Sequence, residues 1–223
     1  MPILSAVHSY FLTVSDIAAL HMPVTGLRFV AALLALISWL SLLLQWTLMY
    51  DRLEADIPRA LARFFGYFTI LSNTLVAIFF TLWAIYPVNT ITDPVIAVPA
   101  TAFCVYIIIV AVIYHLLLRK AFPLTGLDRL ANAMLHTWLP LFYVISWTLL
   151  VADGIVLTSQ TAYFLIFPIL YLGYILLSGH KTGHYPYPFV HVQEIGYPKV
   201  LRNAILIALA FTGLSLLLIY LKS

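Results

Sequence analysis

Long apolar segments alternate with short polar gaps along the whole chain. About 20 apolar residues are enough for a helix to cross the hydrocarbon core of a bilayer, and six segments reach that length. They are predicted at Val24–Tyr50, Phe64–Tyr86, Pro94–Leu118, Ala131–Ala152, Gln160–Leu177 and Val200–Leu221. The pattern predicts an all-α integral membrane protein whose six transmembrane helices form one bundle, a single domain over residues 1–223.

Two further segments have a pattern of their own. Residues 1–22 carry apolar side chains at helical spacing, with polar ones largely on the opposite face. This predicts an amphipathic helix, which either lies on the outer leaflet or packs on the bundle. Residues 179–198 are rich in Gly, Pro, His and Tyr. Aromatic residues are poor filler for a flexible linker, so we expect a structured loop on the cytoplasmic side.

Composition supports the membrane assignment. The chain is 64% hydrophobic and 9% charged, whereas a soluble domain carries about a quarter charged residues. The net charge of +3 resides in the loops. It suits a surface of anionic lipid headgroups, and no nucleic-acid partner is expected.

The basic residues show which way the helices run. Lysines and arginines gather in every second gap, at Arg52, Arg59, Arg63, Arg119, Lys120, Arg129, Lys181, Lys199 and Arg202. Basic residues near span ends stay in the cytoplasm. This predicts three basic loops inside and both termini outside, in the inner membrane if the source is bacterial.

Polar residues within the spans are costly and therefore informative. Thr69 and His136 each lie about five residues into a span that starts at the inner face, so both are expected roughly 8 Å deep. Ser72 and Asn73 share the helix face of Thr69, and Asn132 lies one turn before His136. The spacing predicts a small polar cavity open towards the cytoplasmic leaflet.

Each of these residues also has a purely structural interpretation. A threonine in a membrane helix usually bonds a carbonyl of its own helix, and an intramembrane histidine can serve as a hydrogen-bond hub. The asparagines can simply hold helices together. Spacing and depth alone leave both interpretations open.

Three short motifs, in span order, resemble one family. They are Phe65–Asn73 (FGYFTILSN), His136–Pro140 (HTWLP), and Tyr185–Phe189 (YPYPF) followed by Gly196-Tyr197. The chain is similar to the androgen-induced and androgen-dependent membrane proteins, and closest to their bacterial six-pass relatives. The resemblance implies a hydrolase of fatty acid esters of hydroxy fatty acids, with Thr69 as nucleophile, His136 as its partner and membrane lipids as substrates.

The implied chemistry is physically reasonable without a cofactor. A threonine hydroxyl becomes nucleophilic when an adjacent base takes its proton, and histidine has an unperturbed pKa near neutrality. Ser72, Asn73 or a freed backbone group is the candidate for oxyanion stabilisation, with Asn132 or a water orienting the histidine. Pro140 removes the helical partner of the His136 carbonyl and is expected to kink the helix there.

Other functions remain open. The loop spacings His180-x3-His184 and His191-x2-Glu194 have the residue types of a metal site. His115 and His136 share a depth and would suit one haem iron. A lipid-binding or scaffold protein without catalysis is a further alternative. The absence of carboxylates at mid-depth and of an evident inverted repeat argues against an ion-coupled transporter.

Overall fold

The computed structural model describes residues 23–119 and 124–223, and these residues are overwhelmingly helical. Six of the described helices are long and apolar enough to cross a membrane. The predicted all-α, six-helix membrane fold is therefore confirmed. The predicted amphipathic segment at residues 1–22 lies outside the described residues.

The helices follow one another in an up-and-down order. They are α1 (Val24–Arg52), α2 (Ile57–Phe64), α3 (Phe68–Ile85), α4 (Pro94–Leu118), α5 (Gly126–Leu150), α6 (Thr158–Thr182), α7 (Val192–Ile195) and α8 (Tyr197–Leu221). We call the end of the bundle where α1, α4 and α6 finish the basic end, because the basic loops lie there. At the opposite end, Ile91 and Val151 pair in a short parallel bridge.

The second span starts later than its apolar pattern predicts. The apolar run begins at Phe64, but residues up to Phe64 form the separate short helix α2. Asp56 caps α2 by accepting a hydrogen bond from the backbone N–H of Arg59 at 3.0 Å. The chain then turns at Gly66 and begins α3 at Phe68. This turn places Thr69 in the first turn of a helix.

Two π-helical turns lie side by side within α4 and α5. They cover Tyr114–Leu118 and Met134–Trp138. The second ends two residues before Pro140, which lacks the N–H that would bond the His136 carbonyl. The predicted disturbance of the helix at this position is thus a widened turn. Such turns are frequent at functional sites because they redirect side chains without ending the helix.

Burial differs strongly between the helices. Helices α3 and α4 form the centre of the bundle, and α1 packs along α3. Helices α6 and α8 lie at the periphery and expose most of their apolar residues, such as Ile169 and Leu209. Exposed apolar side chains of this kind suit contact with lipid.

The end opposite the basic loops is held by Lys222. Its ammonium group donates to the carbonyl oxygens of Thr148 at 2.7 Å and Val151 at 2.6 Å, and pairs with Asp153 at 3.0 Å. These contacts tie the end of α8 to the end of α5. They also neutralise one of the few basic charges at this end of the bundle.

The loop from residue 183 to residue 196 folds back against α6. Gly183 ends α6 with a φ of +71°, a left-handed conformation that favours glycine. The ring of Tyr185 then packs directly on the backbone of Gly179, where a Cβ atom would collide with it. The contact holds the loop, and with it Tyr187, against the bundle.

We therefore expect Gly179→Ala to displace the loop. Overfilling such a packed contact costs about 1–3 kcal/mol of stability. Gly173→Ala is the matched control, because Gly173 lies in the same helix with open space around its Cα. Thermal unfolding in detergent should show a lower midpoint for Gly179→Ala only. Equal midpoints would show that Tyr185 does not depend on this contact.

Candidate functional site

Thr69 and His136 face each other inside the bundle. The Thr69 Oγ1 atom lies 3.3 Å from His136 Nε2, and Thr69 is buried. The predicted proximity is confirmed, while a catalytic role for the pair stays a prediction. The contact arises because the first turn of α3 meets the π-helical turn of α5.

Thr69 lies beside an aromatic contact between α3 and α6. The ring of its neighbour Phe68 packs against Tyr171, at a centroid distance of 5.0 Å. Tyr171 lies eleven residues before the end of α6 at Thr182, which corresponds to roughly 16 Å along the helix. The depth of Thr69 in the membrane stays a prediction.

The hydrogen bond at the second ring nitrogen of His136 fixes which nitrogen carries the proton. His136 Nδ1 lies 3.0 Å from the backbone carbonyl oxygen of Asn132. A carbonyl oxygen only accepts, so Nδ1 carries a proton. In the neutral ring, Nε2 is then the free acceptor, and it points at the Thr69 hydroxyl. Tyr114 stacks on the imidazole at a centroid distance of 4.2 Å and holds its plane.

Two tyrosine hydroxyls meet the N-terminus of α3. The Phe68 N–H donates to the Tyr171 hydroxyl at 3.1 Å, and the Thr69 N–H approaches the Tyr187 hydroxyl at 3.5 Å. Tyr171 in turn donates to the carbonyl oxygen of Gly66 at 2.7 Å. Burial raises the pKa of Tyr187, so its phenol keeps its proton and remains a hydrogen-bond donor.

Neither tyrosine stands out among the polar residues of the predicted spans. Tyr187 lies in the YPYPF motif of the loop, and this motif was the one feature of the sequence that could have pointed to it. Tyr171 lies in an apolar helix, where no motif marks it. Both reach the site across more than 100 residues of sequence.

The three predicted supporting residues differ in their contacts. The Asn73 amide donates to the carbonyl oxygens of Thr69 at 2.8 Å and Leu135 at 3.1 Å, so its two N–H groups tie α3 to α5. Ser72 is almost fully buried, and among the described residues its hydroxyl has no partner. Asn132 orients His136, but through its backbone carbonyl rather than its side chain.

Two cavities of contrasting polarity meet at the pair. One has a volume of about 120 Å³ and an almost entirely apolar lining from α4, α6 and α8. The other, of about 330 Å³, is also mostly apolar but carries more polar groups, among them Gln45, Arg52 and Asp128, and we call it the polar cavity. Thr69, Leu118, His136 and Tyr187 line both. Arg52 and Asp128 form an ion pair beside the polar cavity.

The two histidines considered for haem do not present a free pair of nitrogens. His115 Nε2 lies 3.0 Å from Thr137 Oγ1, while both nitrogens of His136 are directed at Thr69 and Asn132. The geometry therefore holds His136 as a partner of Thr69 rather than as half of an axial ligand pair.

The histidines of the loop are dispersed. His191 Nε2 lies 3.3 Å from Glu194 Oε1, and the His191 ring packs on Tyr185. Burial, with Arg63 nearby, lowers the pKa of His184, and His180 is exposed. Over residues 23–119 and 124–223, no three His, Cys, Asp or Glu side chains lie together as metal ligands would. The loop thus brings together only His191 and Glu194 of the four candidate ligands.

Comparison with known proteins adds no identification. No family model, no curated protein and no solved structure matches the chain.

Proposed function

We propose that this protein is an intramembrane hydrolase of fatty-acyl esters, with Thr69 as nucleophile and His136 as base. One observation carries the proposal. The Thr69 hydroxyl faces the free nitrogen of an imidazole whose other nitrogen is bound, at the meeting point of an apolar and a polar cavity. An ester joining an acyl chain to a polar group fits such a junction.

The reaction needs only the ester and water. His136 Nε2 takes the proton of Thr69 as Oγ1 attacks the acyl carbon. The bond from the acyl carbon to the alcohol oxygen then breaks, and the alcohol leaves with the proton returned by His136. Water attacks the acyl carbon of the acyl-threonine and loses a proton to His136. The bond from the acyl carbon to Thr69 Oγ1 breaks, and His136 passes the proton to Oγ1. The products are a free fatty acid and an alcohol.

Two features would stabilise the negative charge on the attacked carbonyl oxygen. Thr69 is in the first turn of α3, where the helix dipole favours negative charge. The protonated Tyr187 hydroxyl lies within reach of the same turn. We therefore assign oxyanion stabilisation to Tyr187, since the N–H groups of Asn73 are already engaged.

The resemblance of three motifs to the androgen-induced and androgen-dependent membrane proteins supports the same assignment. Thr69 and His136 are the positions that the resemblance implicates. Tyr187, which the geometry adds, lies within the third motif. On this proposal the substrates are membrane lipids with a fatty-acyl ester bond.

The proposal is tested with an alkyl fluorophosphonate, a probe that bonds covalently to activated hydroxyl nucleophiles. Peptide mass spectrometry of the labelled protein should place the adduct on Thr69, and Thr69→Ala should abolish it. Thr74→Ala is the matched control, because Thr74 lies in the same helix and bonds only the Ile70 carbonyl, at 2.8 Å. Folded protein that binds fatty acid but never labels at Thr69 is a lipid-binding protein instead.

The orientation in the membrane is part of the same proposal. Basic residues concentrate at the end of the bundle nearer the site, and such residues stay in the cytoplasm. We place this end on the cytoplasmic face, in the inner membrane of a bacterium if the motifs reflect bacterial ancestry. Both chain termini then lie outside.

Cysteine labelling measures the orientation directly. A cysteine replacing the exposed Asn89 should react with an impermeant maleimide on intact cells, whereas one replacing the exposed Thr182 should react only after permeabilisation. The native Cys104 is fully buried and gives little background. The reverse pattern would put the site near the outer leaflet.

A further inference from the structure

The apolar cavity lies between two helices that stay apart over most of their length. Helix α8 packs closely on α6 at Thr161–Phe164. The rest of α6, from Ile166 onwards, makes few or no close backbone contacts with α8. Helix α4 forms the floor of the resulting groove. We call this space the α6–α8 groove.

The lining of the groove is uniform in character. Its apolar side chains include Ile109 and Val110 on α4, Ile169 and Leu172 on α6, and Phe211 on α8. Polar groups enter only where Thr69, His136, Tyr171 and Tyr187 come together. A ligand that fills this space must therefore be apolar along its length, with one polar group placed against the Thr69–His136 pair.

The groove is also accessible from the side. Ile169 and Leu172 on one rim, and Ile207 and Ala208 on the other, remain partly exposed. Both helices lie at the periphery of the bundle, where most of their residues are not buried. From Leu165 to Ile175 the α6 wall rises roughly 15 Å, so the space is elongated along the direction of lipid chains.

We propose that the α6–α8 groove holds the acyl chain of the substrate, admitted laterally from the bilayer. Ala204 and Ala208 of α8 then decide how much chain fits. The inference rests on the proposed hydrolase function and adds to it the place of the chain. The alcohol part of the ester lies in the polar cavity, beside Gln45 and Asn132.

The two alanines are the natural determinants of chain length. They lie one helical turn apart on the same face of α8 and have the smallest side chains of the lining. A larger side chain at either position is expected to extend into the groove and shorten it. Ala210 lies on the same helix, is exposed, and does not line the groove.

The test uses the full-length Thr69→Ala protein in nanodiscs and a long-chain fatty acid with a photoreactive diazirine. Peptide mapping should place saturable crosslinks on α6 and α8 residues of the groove. Competition with unlabelled fatty acids of increasing chain length then gives relative affinities. Ala208→Phe should weaken long-chain binding by about tenfold or more, leaving short chains little affected. Ala210→Phe should bind like the parent.

A second substitution and a second readout keep the test decisive. If Ala208→Phe does not fold, Ala204→Phe or Ala208→Leu replaces it. The crosslinking experiment itself is done without any substitution in the groove. Unchanged chain-length preference in folded groove variants, or crosslinks that are not saturable, overturns the inference even if the protein hydrolyses esters. If the groove variants change the chain-length preference but the wild-type protein hydrolyses no ester, the groove binds acyl chains and the proposed hydrolase function is rejected.

Discussion

Thr69→Ala and His136→Ala are each expected to abolish ester hydrolysis. The hydroxyl is the attacking group and the imidazole is the acceptor of its proton, so either change removes the whole step. We expect a loss of roughly three orders of magnitude or more. The double variant should be scarcely worse than either single one, because residues that act as one unit are not additive. The measurement is fatty acid release from a long-chain ester in proteoliposomes.

Two companion variants separate chemistry from folding. Thr69→Ser keeps a hydroxyl 3.3 Å or a little more from His136 Nε2 and should retain part of the activity. Thr74→Ala removes a hydroxyl that bonds only its own helix and should be fully active. Each variant must elute and unfold like the wild type. A well-folded Thr69→Ala protein with full activity would show that the threonine is structural.

Tyr187→Phe should produce the second largest loss. The change removes one hydroxyl from a buried site and keeps the ring that packs on Phe189 and Tyr67. Removing one oxyanion donor typically costs about 10²–10³-fold in kcat. We expect that loss with KM nearly unchanged, because the hydroxyl acts on charge that develops only in the transition state. Initial rates over a range of ester concentrations give both constants.

Tyr185→Phe is the matched control for this substitution. Tyr185 lies two residues away in the same loop, and its ring packs on Gly179 and His191 rather than at Thr69. A merely structural loss at Tyr187 would instead lower the unfolding midpoint, or raise KM, with kcat preserved. Either of those results would remove Tyr187 from the mechanism and leave the helix dipole as the stabilising group.

The fold was largely predictable because the bilayer restricts what an apolar run can become. In hydrocarbon the backbone must satisfy its own hydrogen bonds, so a long apolar segment becomes a helix. All six predicted spans correspond to helices. The boundary at Phe64 was wrong, since hydropathy does not distinguish a span from a short preceding helix. Only the cap at Asp56 and the turn at Gly66 separate α2 from α3.

Part of the candidate site also followed from the sequence. Thr69 and His136 are polar residues in two spans that start at the same end of the bundle, and residues at matched depth can meet. The role of Asn73 did not follow, because an amide on the correct helix face serves equally well as an oxyanion donor or as a tie between helices. In the structure both N–H groups of this amide donate to carbonyl oxygens, those of Thr69 and Leu135, so the amide ties α3 to α5.

The sequence by itself determined the number of helices and the basic end of the bundle, because hydropathy and charge act locally along the chain. It indicated the Thr69–His136 pair only through matched positions in two spans together with the resemblance of the motifs. Only the tertiary structure decided what surrounds the pair. Tyr187 reaches Thr69 across 118 residues, and the α6–α8 groove exists because two peripheral helices stand apart. Both depend on how helices pack laterally, which the pattern along a single helix does not record.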